Sequence, residues 1–223
     1  MSQPTPSARV LYLGAFGLAE IDDETLARGL IEGQRQAQRE VWRRYASMVR
    51  RILRRALGPS HDVDDLMQEA FLSLFEAGRR LREPRALKAY VIAIASRTAR
   101  GELRKRWVRR WVKLLPGGDF DEETADAARA VVPDPEAREA LRRFYRLLDK
   151  LGAETRAAFV LRFMEKLEVT EVAAALCISL STAKRRVARA WERMVLLVER
   201  EPALVHYLAE NALRDDEGDG RLT

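Results

Sequence analysis

The sequence predicts an all-α chain: two small helical domains joined by a flexible acidic linker, the second domain carrying a helix-turn-helix. Three observations lead there. Apolar residues recur at helical spacing, and strand signals are sparse. Pro and Gly fall between the periodic stretches, at Gly58-Pro59, Pro84, Pro116-Gly117-Gly118, Pro133, Pro135 and Pro202. The span from Pro116 to Glu139 holds eight acidic residues against two basic ones, with three Pro and two Gly. That composition suits a linker better than a packed element.

The limits that follow are an N-terminal extension over 1–21, a first domain over 22–113, a linker over 114–134, a second domain over 135–198 and an acidic tail over 199–223. Asp22 or Asp23 can cap a first helix that ends near Gly33. A second helix runs from about Arg35 to Leu57, with Val41, Tyr45, Val49, Ile52 and Leu53 along one side. The third begins in "HDVDDLMQEAFLSLF". Asp62 can cap it, and Asp64 and Asp65 lie in the first turn, where the helix dipole favours negative charge. The fourth runs from about Pro84 through Trp111. Helices over about 135–150, 153–164, 169–176 and 181–198 fill the second domain. The tail has seven acidic and three basic residues and predicts a short helix followed by disorder. Its charge would let it fold back on a basic face.

Composition narrows the function classes. Apolar residues make up 47% of the 223, enough for a buried core, and the net charge of +6 points to an anionic partner, nucleic acid first. The single cysteine, Cys177, excludes an intrachain disulfide and fits a reducing cytoplasm. His61 and His206 stand far apart without a partner cysteine, so no metal is expected. The apolar run Val10–Leu18, "VLYLGAFGL", is too short to span a bilayer and lacks the basic start of a signal peptide. No nucleophile–base pair or glycine-rich phosphate loop stands out, so neither an enzyme nor a cofactor is expected.

Two basic stretches carry the chemistry. In "VTEVAAALCISLSTAKRRVARAWERM", from Val169 to Met194, Val172, Ala173 and Leu176 make an apolar stripe and "CIS" supplies a turn. Ser179 or Ser181 can cap the helix that follows. On that helix Ala183, Val187, Ala190, Trp191 and Met194 share one face, while Thr182, Arg185 and Arg189 face away, flanked by Lys184, Arg186 and Arg193. An Arg-rich outward face at a helix N-terminal half suits the DNA major groove. The second stretch, Arg97 to Lys113, holds eight basic residues against Glu102. Tyr90, Trp107 and Trp111 lie among or beside them; aromatics so placed can stack on bases, but Trp107 and Trp111 are expected to pack into the core instead.

With those segments in hand, the chain resembles a bacterial RNA polymerase sigma factor of the sigma-70 superfamily, extracytoplasmic-function type, over roughly Asp22 to Val198. "DVDDLMQEAFLSLF" resembles the segment that contacts the polymerase clamp helices. "LKAYVIAIASRTARGELRKR" resembles the one that captures and melts the −10 promoter box. "LDKLGAETRAAFVLRFMEKLEVTEVAAALCISLSTAKRRVARAWERM" resembles the domain that reads the −35 box. The resemblance implies Asp65, Gln68 and Glu69 as polymerase contacts. It implies Tyr90, Ser96, Arg97, Arg100, Arg104 and Lys105 at −10, and Thr182, Lys184, Arg185 and Arg189 at −35. Core RNA polymerase and promoter DNA are the implied partners, with an anti-sigma protein as a third, and no membrane insertion. Tyr90, Arg97, Gly101, Cys177 and Ala183 stand where the family usually has other residues. A conventional helix-turn-helix regulator that works without polymerase, or an interaction protein that has lost DNA function, are the alternatives.

Overall fold

The structure, a computed structural model, describes residues 21–58, 63–79, 81, 83–113 and 134–207, with side chains in the fourth helix as far as Arg109. The apolar run Val10–Leu18, His61, the cap residue Asp62, linker residues 114–133, the side chain of Trp111 and the tail beyond Tyr207 lie outside the described residues. All regular elements among the described residues are helical: α1 (Asp23–Ile31), α2 (Arg35–Leu57), α3 (Asp64–Gly78), a 3-10 turn (Pro84–Ala86), α4 (Leu87–Lys113), α5 (Pro135–Asp149), α6 (Ala153–Phe159), α7 (Val169–Leu176) and α8 (Leu180–Glu199). A five-residue π-helical turn, Val160–Met164, continues α6, and residues 202–207 are helical again.

The helix starts follow side-chain chemistry. Asp22 accepts from the Thr25 backbone N–H at 2.7 Å, which satisfies one of the donors that α1 leaves orphaned. Asp134 accepts from the N–H groups of Glu136 and Ala137, with Pro135 at the first helical position. The last residue assigned to the linker is thus the cap of the second domain. α7 opens with a reciprocal cap: the Glu168 side chain accepts from the third helical N–H, and the Glu171 carboxylate takes the Glu168 N–H at 2.8 Å.

α7 ends on Cys177, whose backbone is left-handed, at φ 54° and ψ 48°. The Ile178 N–H reaches Ala173 O at 3.0 Å, and the Cys177 N–H reaches Ala174 O at 3.1 Å. This pair of bonds is a Schellman motif, which favours glycine at the position Cys177 holds.

One side of α2 (Val41, Val49, Ile52, Leu53) packs with Leu26 and Leu30 of α1, Met67, Phe71 and Leu74 of α3, and Leu87, Val91 and Ile94 of α4. Leu147, Leu148, Leu151, Phe159, Ala190, Met194 and Leu204 build a second core under α5 and α8. The start of the acidic tail joins that core through Leu204, and Glu201 accepts from Arg143 at 2.5 Å.

The two domains are not independent here. Ala157, Ala158, Val160 and Leu161, with Val172, Ala175 and Leu176 of α7, continue the first domain's core across the seam. α4 lies between, buried at every position from Val91 to Ser96 and again at Thr98 and Ala99. A helix that is apolar all round buries all round, and "VIAIA" supplies that circumference.

Gly58 closes α2 at φ 102°, and a Cβ there would meet the Tyr145 ring at 3.4 Å. At Gly101, inside α4, an added Cβ meets nothing within 4 Å. Gly58→Ala is therefore expected to destabilise by about 1 kcal/mol or more, and Gly101→Ala to stabilise by about 1 kcal/mol. Cys177→Gly should also stabilise, by about 1 kcal/mol, because glycine carries no left-handed penalty. Thermal melts followed by circular dichroism check the three signs.

Candidate nucleic-acid interface

The helix pair α7–α8 is set by its seam. Ala173 and Ala183 are both buried, Ala183 fully, so the two helices cross closely on small side chains. Ala183, where the family usually has another residue, leaves no exposed surface there. Ser179 caps α8: its Oγ accepts from the Thr182 backbone N–H at 3.3 Å and donates to Thr182 Oγ1 at 2.9 Å. Thr182 is consequently half-buried and tied to the turn. Lys184, Arg185 and Arg189 are exposed and make no ion pair among the described residues. Arg186 turns the other way, donating to Glu154 Oε2 at 2.8 Å. Trp191, expected on the buried face, sits at its edge, exposed but stacked 5.1 Å from Phe163.

The six residues expected at −10 divide into two sets. Arg97 and Lys105 point to solvent. Tyr90 is half-buried against the core, and burial raises its pKa. Ser96 is only 2% exposed, and its hydroxyl donates to Ile92 O at 2.7 Å. Arg100 Nη1 donates to Glu154 Oε2 at 3.0 Å, and Arg104 hydrogen-bonds the other oxygen of the same carboxylate. Burial alone would raise the Glu154 pKa, but the hydrogen bond from Arg100 and the charges of Arg100, Arg104 and Arg186 outweigh it and hold the carboxyl below its ordinary value. Trp107 corrects the expectation that it packs in the core: it is 56% exposed, next to exposed Val108 and Arg109.

On α3, Asp65, Gln68 and Glu69 share one outward stripe with Leu72, since residues three, four and seven apart fall on one helix face. Asp65 and Glu69 make no ion pair among the described residues, whereas Asp64 pairs with Arg50. Beside the stripe the exposed Trp42 ring lies 4.2 Å from Phe71. Two carboxylates, an amide and the exposed Leu72 and Trp42 thus face solvent together, a composition suited to a protein partner, and no group able to hold a metal ion occurs among the described residues.

Sequence reasoning missed the residues that join the domains. Arg156 is buried in full; its Nε donates to Ala56 O at 2.6 Å and its Nη1 to Asp149. Beside this contact, within the first domain, Arg106 Nη1 donates to Leu57 O at 3.2 Å. Glu165 pairs with Arg51 and Arg55, each at 3.0 Å. The signal for Arg156 was present: an arginine just ahead of the apolar run "AAFVL" at 157–161. Glu154 gave none, because an acid in a helix's first turn is explained by the helix dipole alone.

Residues 41–109 match the family described as Sigma-70 region 2, and residues 141–194 match Sigma-70, region 4. The ferric citrate uptake sigma factor FecI of Escherichia coli (strain K12) is 31% identical over 155 residues, covering 65% of this chain and 80% of that protein. The ECF RNA polymerase sigma factor SigM of Mycobacterium tuberculosis is 26% identical over 195 residues, covering 87% and 94%. Among solved structures, CnrH in complex with the cytosolic domain of CnrY superposes with a TM-score of 0.56 at 22% identity, over 80% of this chain and 98% of that one. The sigma factor RpoE of Bartonella quintana, in complex with the anti-sigma factor NepR, gives 0.54 at 22% identity, over 73% and 97%. The two family segments fall one in each domain, in the order in which the basic and acidic faces occur, and the chain belongs to the sigma-70 family of RNA polymerase sigma factors, in its extracytoplasmic-function group.

Proposed function

We propose that the chain directs core RNA polymerase to promoters with a division of labour among three faces. The α3 stripe of Asp65, Gln68 and Glu69 engages the polymerase. The α4 residues Tyr90, Ser96, Arg97, Arg100, Arg104 and Lys105 take the −10 strand. Thr182, Lys184, Arg185 and Arg189 of α8 read the −35 duplex. The observation that carries this reading is the outward set Lys184, Arg185 and Arg189, without ion pairs among the described residues, on a helix whose opposite face buries Ala183, Ala190 and Met194. Arg and Lys so presented reach guanine edges and phosphates in a major groove. The sigma-70 family is not a catalytic family, so the DNA is opened by binding and not by bond-making.

The partner list extends from the relatives. CnrH and the Bartonella RpoE were each solved with a bound partner, and an anti-sigma protein is the matching third partner for this chain. No helix among the described residues is long and apolar enough to cross a membrane. The site of action is the cytoplasm, where polymerase and promoter are.

Run-off transcription with purified core enzyme on genomic fragments tests the whole reading. A promoter-specific start above core alone is expected; its absence sinks the reading. Replacing Asp65 and Glu69 together by Ala should reduce co-purification with core polymerase while leaving the melting temperature near that of the unaltered chain, since both side chains are exposed and neither makes an ion pair among the described residues. Arg185→Ala should weaken binding of the holoenzyme to a −35 duplex by about 1–3 kcal/mol, measured by competition binding at fixed salt. An unchanged affinity there would favour the interaction protein that has lost DNA function.

A further inference from the structure

We propose that Trp107 is a stacking platform for an unpaired nucleobase, at the C-terminal end of the strand track on α4. The proposal rests on the reading of α4 as the strand-binding helix and adds a residue outside the set assigned to it.

Trp107 is 56% exposed, and Val108 beside it is exposed as well. An indole contributes most to a fold when its large apolar ring is buried. Among the described residues the buried positions of α4 end at Leu103, so burial does not account for a tryptophan four residues further on. The ring offers a broad, flat π surface to solvent. A nucleobase is a flat partner of the same kind, and every base has a face to stack.

The placement of the ring agrees with that partner. Residues three, four and seven apart share one side of a helix. Trp107 therefore continues the row of Arg100, Leu103 and Arg104, and it stands about 10 Å along the axis from Arg100. Arg100 and Arg104 are two of the cations that the proposed function gives to the strand. The indole thus lies one turn past them, where the next nucleotide of a strand held on that row would fall.

The charge around the ring suits a phosphate backbone. Lys105 is exposed and makes no ion pair among the described residues. Arg104 meets Glu154, yet its side chain stays 65% exposed. Glu102, the one carboxylate between Arg97 and Arg109, is turned inward. It accepts from Arg106 Nε at 3.2 Å and Arg109 Nη2 at 2.6 Å, so its charge is matched within the helix. A flat apolar surface among cations calls for a ligand that is flat and apolar in one part and anionic in the next. A nucleotide has both parts. Its base face is covered in a duplex, so the ligand is an unpaired nucleotide, with the base on the indole and the phosphate at Lys105 and Arg104.

The full-length chain serves for the test, because the ring is open to solvent with both domains in contact. Trp107→Phe keeps a π face, and Trp107→Leu keeps an apolar, helix-forming side chain without one. Binding is followed by anisotropy at fixed low salt on three labelled ligands: a mixed-sequence single strand, a strand of equal length with abasic sugars, and a duplex of the first sequence. Trp107→Leu should weaken the base-bearing strand by about 5-fold or more, and Trp107→Phe by less. The abasic strand, the duplex and the melting temperature should stay near those of the unaltered chain. Lys105→Ala should weaken all three ligands by a similar factor and lower the salt slope by about one. The proposal is overturned if the unaltered chain binds no strand or binds the base-bearing and abasic strands alike. An equal loss on those two strands in Trp107→Leu, or no loss, overturns it too. A fall in melting temperature in Trp107→Leu would place the ring against the chain itself and equally overturn it. Run-off transcription with core polymerase on the same proteins keeps the two readings apart. A promoter-specific start by the unaltered chain, without a base-dependent loss in Trp107→Leu, retains the function and removes the platform. A base-dependent loss in a chain that starts no transcription retains the platform as a single-strand site and removes the promoter function.

Discussion

The C-terminal end of α2 sets where the second domain can sit. A helix leaves its last carbonyls without intrahelical donors, and a buried end must find them elsewhere. Here Arg106 of α4 supplies Leu57 O, and Arg156 of α6 supplies Ala56 O. The first guanidinium belongs to the same domain and the second crosses from the other. Both bring positive charge to the negative end of the helix dipole. Arg156 also holds Asp149, so its charge is paired as well as hydrogen-bonded. Removing it would leave a buried carbonyl and a carboxylate uncompensated together, which is why such partners are costly to delete singly. Gly58 belongs to the same device: at φ 102° it makes a turn that side-chain-bearing residues rarely adopt, with the Tyr145 ring beside it.

From that anchor the rest of the seam follows. With Arg156 fixed on the end of α2, α6 lies along α4, its π-helical turn presents Met164 O to Arg55, and Glu165 reaches Arg51 and Arg55. α7 then falls across α4 and buries its middle. This explains an otherwise odd helix: α4 is apolar around its whole circumference in its first half and densely basic in its second. The apolar half serves two cores; the basic half stays against the second domain through Arg100 and Arg104 at Glu154, and residues 107–109 stand exposed. Trp107 is among them, although its size alone would favour burial.

Much of this was legible in the sequence, and the limits have physical causes. The helices could be placed closely because proline, glycine and capping side chains act locally; Asp22 and Ser179 are the caps, each one of two candidates that the sequence offers. Cys177 was legible as a misfit, and its left-handed backbone shows the misfit is real. The outward set Lys184, Arg185 and Arg189 follows from 3.6-residue periodicity. What did not show is the docking. Its apolar part is carried by Ala157, Ala158, Ala175 and their neighbours, and alanine is explained equally well by helix propensity. Its polar part pairs residues fifty to more than a hundred positions apart, such as Arg104 with Glu154 and Arg51 with Glu165. No local pattern encodes such a pair.

In the reading proposed for α4, a nucleic-acid strand would draw on the arginines that Glu154 holds at the seam, Arg100 and Arg104, and the two uses respond differently to salt. Each pair at Glu154 is a contact between two side chains, partly open to water, and screening weakens it gradually as the Debye length falls to roughly 8–10 Å near physiological ionic strength. Binding a strand also releases the counterions condensed on it, so its affinity falls as a power of the salt concentration set by the number of phosphates neutralised. Raising salt therefore costs the DNA-bound state more than the docked state. The apolar part of the seam, with Val172, Leu176 and Leu161 buried, is hardly affected by salt at all. On that reading, rising salt favours the docked seam over a bound strand.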